Sequence, residues 1–253
     1  MLLLRLPAAI AVIALLLPGL RPSAAAEVKV WAGGVVRPVL SELAPRFERE
    51  AGHKLAIEYG SSPEFARHLA GGQTFDAAIL IPATIDAWIK EGRIAADSRT
   101  NIAQAGLGVA VRAGADKPDV ATVAALKQTL LDAKSVAHSS EGPTRAQLMR
   151  LLDRLGIAEQ MRSKLKPFPG GGVLKSVAEG NAEMVVAPIP TIVGTTGVVN
   201  AGPLPPDLQT YLQLTAGVAS AAKEAAAARA LIRLLAGPAA ADIIRAKGFE
   251  PFK

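Results

Sequence analysis

Apolar and polar positions alternate along VKVWA (28–32), and two glycines, Gly33 and Gly34, end the run. Val36, Leu40, Leu43 and Phe47 then recur at helical spacing, so the pattern predicts a strand, a glycine turn and an amphipathic helix. Pro38 suits the first turn of that helix, whereas Pro45 falls in its interior and predicts a kink or a helix in two pieces. KLAIEY (54–59) reads as the next strand, SSPEFARHLAGG as a short helix ended by Gly71 and Gly72, DAAILI (76–81) as a third strand and ATIDAWIKEG as another helix. Strand and helix alternating at this spacing is the rhythm of a parallel sheet with crossover helices.

The rhythm then restarts. LGVAVRAG (107–114) reads as a strand leaving the first unit, followed by a helix over TVAALKQTLLDAK and a short strand at SVAHSS (135–140). Helices fit PTRAQLMRLLDRLG and AEQMRSKL, FPGGGVLKSVAEGNA repeats the glycine-then-helix device, and EMVVAPI (183–189) is a strand. After the proline-rich connector GPLPPDLQ come a strand at YLQLTAGVAS (211–220) and two helices, KEAAAARALIRLLAG and PAAADIIRAKG. The tail has too little strand for a sheet of its own, so it is expected to return to the first unit. The expected architecture is α/β with two lobes and a central cleft: 27–106 with 214–253 form one lobe and 107–213 the other. Two lobes joined by two crossings close on a ligand by hinge motion.

The first 26 residues are of another kind. MLLLRLPAAIAVIALLLPGLRPSAAA has one early cation, Arg5, an apolar run broken by Pro18 and Gly19, and small residues at 24–26. That is a signal peptide cut after Ala26, the alternative being a retained N-terminal anchor. The mature chain would start at Glu27 and work in the periplasm. The chain contains no cysteine, which excludes disulfides, thiolate catalysis, Cys-based metal centres and a lipid anchor on a leader cysteine. Its formal charge is +6, and loss of Arg5 and Arg21 with the leader leaves +4. Basic residues are dispersed among acids with no aromatic interleaving, which argues against a nucleic-acid partner and is compatible with a small anion.

In open α/β sheets, ligands sit at the carboxyl ends of strands, against helix starts. Four junctions here combine small residues with helix-start N–H groups: Gly33-Gly34, Gly60-Ser61-Ser62, Ser139-Ser140 through Thr144 and Arg145, and Gly170-Gly171-Gly172. Each taken singly also reads as a helix cap. Together, two per lobe, they describe a cleft of hydrogen-bond donors suited to an oxyanion or a carboxylate. Of the three histidines, His53 and His68 lie in polar, surface-like contexts, and His138 precedes the SSEGPTR turn. No metal-ligand spacing, nucleophile elbow, Walker loop or dinucleotide fingerprint is present, so no metal and no cofactor is expected.

VKVWAGG, FARHLAGG, DAAIL, GNAEMVVAP and GPAAADIIRAKGF together resemble the molybdate-binding branch of the periplasmic solute-binding proteins, over nearly all of the mature chain. The resemblance implies a type II two-lobed fold, a monomer, a bound oxyanion and an inner-membrane ABC permease as partner. Ser61, or its neighbour Ser62, matches the family's second-strand serine. Gly33-Gly34-Val35 stands where a first serine is usual, and Ala187-Pro188 stands where the second lobe usually supplies a tyrosine. Two hydroxyl donors are thus replaced, which points toward a larger organic acid. EGPTR, GGGV and GPLPPDLQ resemble a sub-branch of aconitate isomerases, enzymes on the same fold. On that alternative, His138, Glu141 and Glu64 are the candidates to move a proton. The effector lobe of a transcription regulator shares the fold but would carry a DNA-binding helix pair in place of a leader. Amino-terminal sequencing of protein recovered from the exported fraction should begin at Glu27; a start at Met1 would identify a retained anchor.

Overall fold

The structure, a computed structural model, describes residues 27–140, 143–169 and 172–252, without the side chains of Pro143 and Thr144. The leader, with its expected cleavage point, therefore lies outside the described residues, as do Glu141, Gly142, Gly170 and Gly171.

The chain starts with β1 (Glu27–Gly33), a 3-10 turn, and α1 (Arg37–Ala51), and continues through β2 (Lys54–Gly60), α2 (Ser62–Ala70), β3 (Ala77–Leu80) and α3 (Pro82–Lys90) to β4 (Thr100–Ala105). One residue later β5 (Leu107–Arg112) begins a second sheet. It is followed by α4 (Val123–Asp132), β6 (Val136–Ser139), α5 (Pro143–Leu155), α6 (Ala158–Met161), β7 (Leu165–Phe168), α7 (Val173–Ala178), β8 (Met184–Pro188), α8 (Ile189–Val193) and β9 (Val198–Pro203). The chain then crosses back into β10 (Leu212–Val218), α9 (Ala225–Ala236), α10 (Pro238–Ala246) and β11 (Glu250–Pro251). The first sheet runs β11-β4-β10-β3-β1-β2 and the second β7-β6-β8-β5-β9. The tail joins the first sheet, where β10 lies antiparallel between β3 and β4.

Each sheet is covered on both faces. Val28, Val30 and Ala32 of β1 point toward Leu40, Leu43 and Phe47 of α1 and Leu231 and Leu235 of α9. Trp31 points the other way, stacked on Phe65 (5.0 Å between ring centroids) and Phe75 (4.6 Å), with Trp88 at its edge. This is the period-2 alternation read from VKVWA, now with two different cores on its two sides. The second sheet is sandwiched between Leu126, Leu130, Leu148 and Leu152 of α4 and α5 on one face and Val173, Val177 and Ile192 of α7 and α8 on the other.

Some expectations are corrected. Helix α1 is one element with Pro45 inside it rather than two pieces, because Val39, Leu40, Leu43 and Phe47, on both sides of the proline, are buried in the same core. A proline there removes one backbone bond, and packing of the apolar stripe outweighs it. The AEQMRSKL helix is a single turn, Ala158–Met161. Strands β4, β7, β9 and β11 were not expected.

Asp76 joins the start of β3 to distant parts of the chain. Its carboxylate, 4 % exposed, accepts from Lys29 N–H at 2.8 Å, Lys223 N–H at 2.8 Å and Glu224 N–H at 3.0 Å. Two of these N–H groups belong to the start of α9, where a carboxylate also meets the positive end of the helix dipole. Asp76→Ala leaves all three N–H groups without this acceptor and should lower unfolding free energy by about 3–5 kcal/mol in urea titration. A loss under about 1 kcal/mol would show that water replaces the carboxylate at no net cost.

Candidate functional site

The topology sets which strand ends meet. In the first sheet β1, β2 and β3 are parallel, and β4 runs with them because β10 is antiparallel to both β3 and β4. Gly33, Gly60, Leu80 and Ala105 therefore end on one edge. In the second sheet β6, β7 and β8 are parallel, so Ser139, Phe168 and Pro188 share an edge, and Leu107 at the start of β5 pairs with Pro188 on that edge. Since only Gly106 separates Ala105 from Leu107, both carboxyl-end edges lie on the hinge side.

Gly33 and Gly60 are register partners on adjacent strands, so the first two glycine junctions stand side by side. Gly33 has φ −59° and ψ 140°, ordinary for any residue. A Cβ there would meet only the Ile79 carbonyl oxygen at 3.8 Å, and at Gly34 it would meet nothing within 4 Å. Neither backbone strain nor packing calls for glycine at this turn, and each would leave room for a side chain. Gly60 is different: a Cβ would lie 2.9 Å from Glu64 Oε2 and 3.0 Å from Phe65 Cζ, so its glycine is fixed by helix packing.

Ser61 and Glu64 are brought together as a capping box at the start of α2. Glu64 N–H donates to Ser61 Oγ at 3.4 Å, and Ser61 N–H donates to Glu64 Oε2 at 3.3 Å. That arrangement occupies the Ser61 hydroxyl oxygen and places a carboxylate beside the turn. Ser62 instead pairs with Thr84 in the first turn of α3, their hydroxyl oxygens 2.8 Å apart. One proton serves that bond and the other hydroxyl proton remains to donate. Thr84 was missed, although the rule that found the other junctions also applies to Leu80-Ile81-Pro82-Ala83-Thr84, the third strand-to-helix turn. Arg37 was missed too. It lies in the first turn of α1, stacked 3.8 Å over the Tyr59 ring. Burial pushes the Tyr59 hydroxyl up, opposed by the Arg37 charge and by a hydrogen bond with Ser41.

In the second lobe Ser140 N–H donates to Phe168 O at 2.9 Å, so the turn after β6 is tied to the end of β7. Ser139 is buried and Ser140 exposed. Gly172 caps α7 with no atom within 4 Å of a would-be Cβ, and Arg145 is exposed on the first turn of α5. Glu141, Gly171 and the side chain of Thr144 lie outside the described residues. His138 is 8 % exposed, and its Nδ1 lies 2.7 Å from the Ser139 carbonyl oxygen. A carbonyl only accepts, so Nδ1 carries the hydrogen and Nε2 of the neutral ring carries the lone pair. His68 is not a solvated surface residue: it meets the edges of Trp31 and Phe65, with Nδ1 3.1 Å from Glu58 Oε1.

At the end of β8, Ala187 is buried, and α8 offers few donors. Pro188 and Pro190 have no N–H, and Ile189 N–H donates to the Gly106 carbonyl at 3.0 Å. Among the described residues no group of three or more His, Asp or Glu side chains could hold a metal ion.

Comparison with known proteins bears on this arrangement. Residues 28–250 match the family model described as bacterial extracellular solute-binding protein. An aconitate isomerase from a Pseudomonas species is 30% identical over 228 residues, covering 88% of this chain and 87% of that protein. The molybdate-binding protein ModA of Azotobacter vinelandii is 28% identical over 232 residues, covering 89% and 90% respectively. Among solved structures, a substrate-binding domain assigned to a molybdenum ABC transporter of Clostridium difficile superposes with a TM-score of 0.80 at 16% identity, over 90% of this chain and 100% of that one.

The open turn at Gly34 separates binding from stability. Gly34→Ala adds a methyl to empty space and restricts the unfolded chain, so unfolding free energy should stay level or rise by up to about 1 kcal/mol. If the turn admits a ligand, the same variant should bind less tightly in calorimetric titration with the anion that stabilises the parent protein. Undiminished affinity would remove Gly34 from the site.

Proposed function

The chain belongs to the bacterial extracellular solute-binding proteins, and we propose that it captures a small organic polycarboxylate between its lobes and delivers it to an ABC importer. The observation that carries this reading is the paired junction Gly33–Gly60, which opens into empty space at Gly34 beside the Ser62–Thr84 hydroxyl pair. Backbone N–H groups and hydroxyls there favour an anion. Proline, alanine and an occupied N–H at the start of α8 favour a ligand that does not need a donor from that side. Arg37 and Arg145 supply exposed positive charge near the helix starts of the two lobes. Among the described residues no helix is long and apolar enough to cross a membrane. The reading places the mature chain, from Glu27, in the periplasm as a monomer.

Thermal denaturation with molybdate, tungstate, sulfate, citrate and the two aconitate isomers tests it. A ligand at about 100 times its Kd adds roughly 2.7 kcal/mol to stability. For a chain of this size that is a rise of about 5–10 °C in Tm. The expected order puts the polycarboxylates above the tetrahedral oxyanions. A larger rise with molybdate would return the site to the oxyanion class, and no rise with any of them would remove the receptor reading.

His138 favours a second reading, in which the same cleft isomerises its ligand as the Pseudomonas relative's name indicates. With the hydrogen held on Nδ1 by Ser139, Nε2 can take a proton from the methylene carbon of an aconitate. The same nitrogen can return a proton at the far end of the allyl system, which moves the double bond without any redox change. Proton NMR of protein incubated with cis- or trans-aconitate should then show interconversion, and His138→Gln should reduce it by about 10²–10⁴-fold. A folded protein that leaves both isomers unchanged is a receptor only.

A further inference from the structure

Gln209 stands in the second crossing, between Pro203 at the end of β9 and Leu212 at the start of β10. Its side-chain amide reaches back to the first crossing. Oε1 accepts from Leu107 N–H at 2.7 Å and from Thr210 N–H at 3.1 Å. Nε2 donates to the Leu107 carbonyl at 2.9 Å and to the Leu204 carbonyl at 3.4 Å. All four hydrogen-bonding positions of the amide are filled, and the assignment of O and N is forced, because Leu107 N–H only donates and its carbonyl only accepts. The Leu107 carbonyl also accepts from Leu204 N–H at 3.0 Å, so the second sheet's own ladder ends where the side chain takes over.

Gly106, the one residue between the two sheets on the first crossing, makes room for this clamp. A Cβ there would lie 2.9 Å from Gln209 Nε2, 3.0 Å from its Cδ and 3.3 Å from Oε1. Gly106 does not have a positive φ. Close approach of the amide, rather than backbone conformation, is what calls for glycine.

We propose that Gln209 is the positioning residue of the hinge: it fastens the second crossing to the second lobe as far as residue 209, and so confines the pivot to Gly106 on one crossing and Thr210–Tyr211 on the other. A backbone ladder across the crossings would freeze the lobes, and no link would let them sample many angles. A side-chain clamp within the second lobe shortens the free length of the second crossing, leaving Gly106 on one crossing and the two residues Thr210 and Tyr211 on the other to turn. This holds whatever anion the cleft takes, and its test needs no ligand.

The absence of cysteine allows two introduced labels. Ala66→Cys on α2 and Ala124→Cys on α4 place spin labels on exposed positions, one in each lobe. Pulsed dipolar spectroscopy of the ligand-free mature chain should give one narrow distance distribution. Gln209→Ala should broaden it and raise amide exchange at Leu107 and Thr210 by about 2- to 10-fold, with circular dichroism unchanged. Gly106→Ala should broaden it likewise, and adding Gln209→Ala to that variant should broaden it no further, since both changes remove one interaction. Gln209→Glu supplies a rescue: ionised, it faces two carbonyl oxygens without a donor, whereas protonated it regains one. Its distribution should be broad at pH 7.5 and narrow at pH 4.5. A distribution in Gln209→Ala that superposes on the parent's overturns the proposal, even where exchange is faster, and so does a Gln209→Glu distribution indifferent to pH.

Discussion

The fold depends on bringing the end of the chain back to its beginning, and a buried carboxylate makes that connection specific. Asp76 lies at the start of β3, takes the Lys29 N–H from the neighbouring β1, and takes the Lys223 and Glu224 N–H groups from the start of α9. Hydrophobic burial is non-directional and would accept α9 in several registers against Val28, Val30 and Leu43. Three hydrogen bonds to one ionised group accept only one. With α9 so placed, β10 fills the gap between β3 and β4, and the first lobe becomes a single body made from two distant stretches of sequence.

Function follows from the order of the strands. Because β10 returns antiparallel, β4 can run alongside β3 and deliver the chain to the second lobe at the edge where β1, β2 and β3 end. The second lobe starts at the corresponding edge, with Leu107 paired to Pro188. Strand ends and helix starts of both lobes are therefore assembled on the hinge side by topology alone. What remains for the side chains is selection. On the proposed reading, Ser62 and Thr84 provide hydroxyls, Gly34 provides space, and the prolines around Ile189 withhold N–H groups. The Gln209 amide belongs to this same edge, bonded to Leu107 at the start of β5.

Much of this was legible because the central strands are uninterrupted apolar or alternating runs, and because glycine marks their ends. The strands that escaped notice share a physical reason. TNIAQA, which forms β4, carries three polar side chains, two of which, Asn101 and Gln104, have partners far along the chain. Asn101 accepts from Thr215 and from Arg99, and Gln104 donates to Glu250. A local pattern cannot show that a polar residue will be satisfied from a strand more than a hundred positions away. LKPF and VVNAGP form β7 and β9, the two edges of the second sheet, where proline and glycine are tolerated because one side needs no ladder. His68 was misjudged for a similar reason. Its sequence neighbours are polar, but helical spacing sets it over the aromatic group that holds both tryptophans and two of the phenylalanines. The Ser62–Thr84 pair joins two helices whose starts are adjacent only because β1 brings β2 and β3 to its two sides.

The choice of ligand class rests on how an anion's charge is distributed. A tetrahedral oxyanion concentrates its charge on four oxygens around one centre, so a dehydrated site must surround it with donors, and each missing one costs about 1–3 kcal/mol. Here Glu64 adds negative charge beside Ser61, and the start of α8 has its first N–H directed to Gly106 and prolines on either side of it. On the proposed reading, these withdrawn donors leave the site less suited to a compact ion. A polycarboxylate spreads its charge over groups several ångströms apart. In that proposal one carboxylate uses the Gly34 and Ser62–Thr84 turns, while the carbon skeleton spans the donor-poor stretch beside Ala187 and Pro188. As proposed, the same withdrawal of donors that weakens an oxyanion site makes room for a longer molecule, and His138, with its proton fixed on Nδ1 by the Ser139 carbonyl, is the group that separates a receptor from an isomerase.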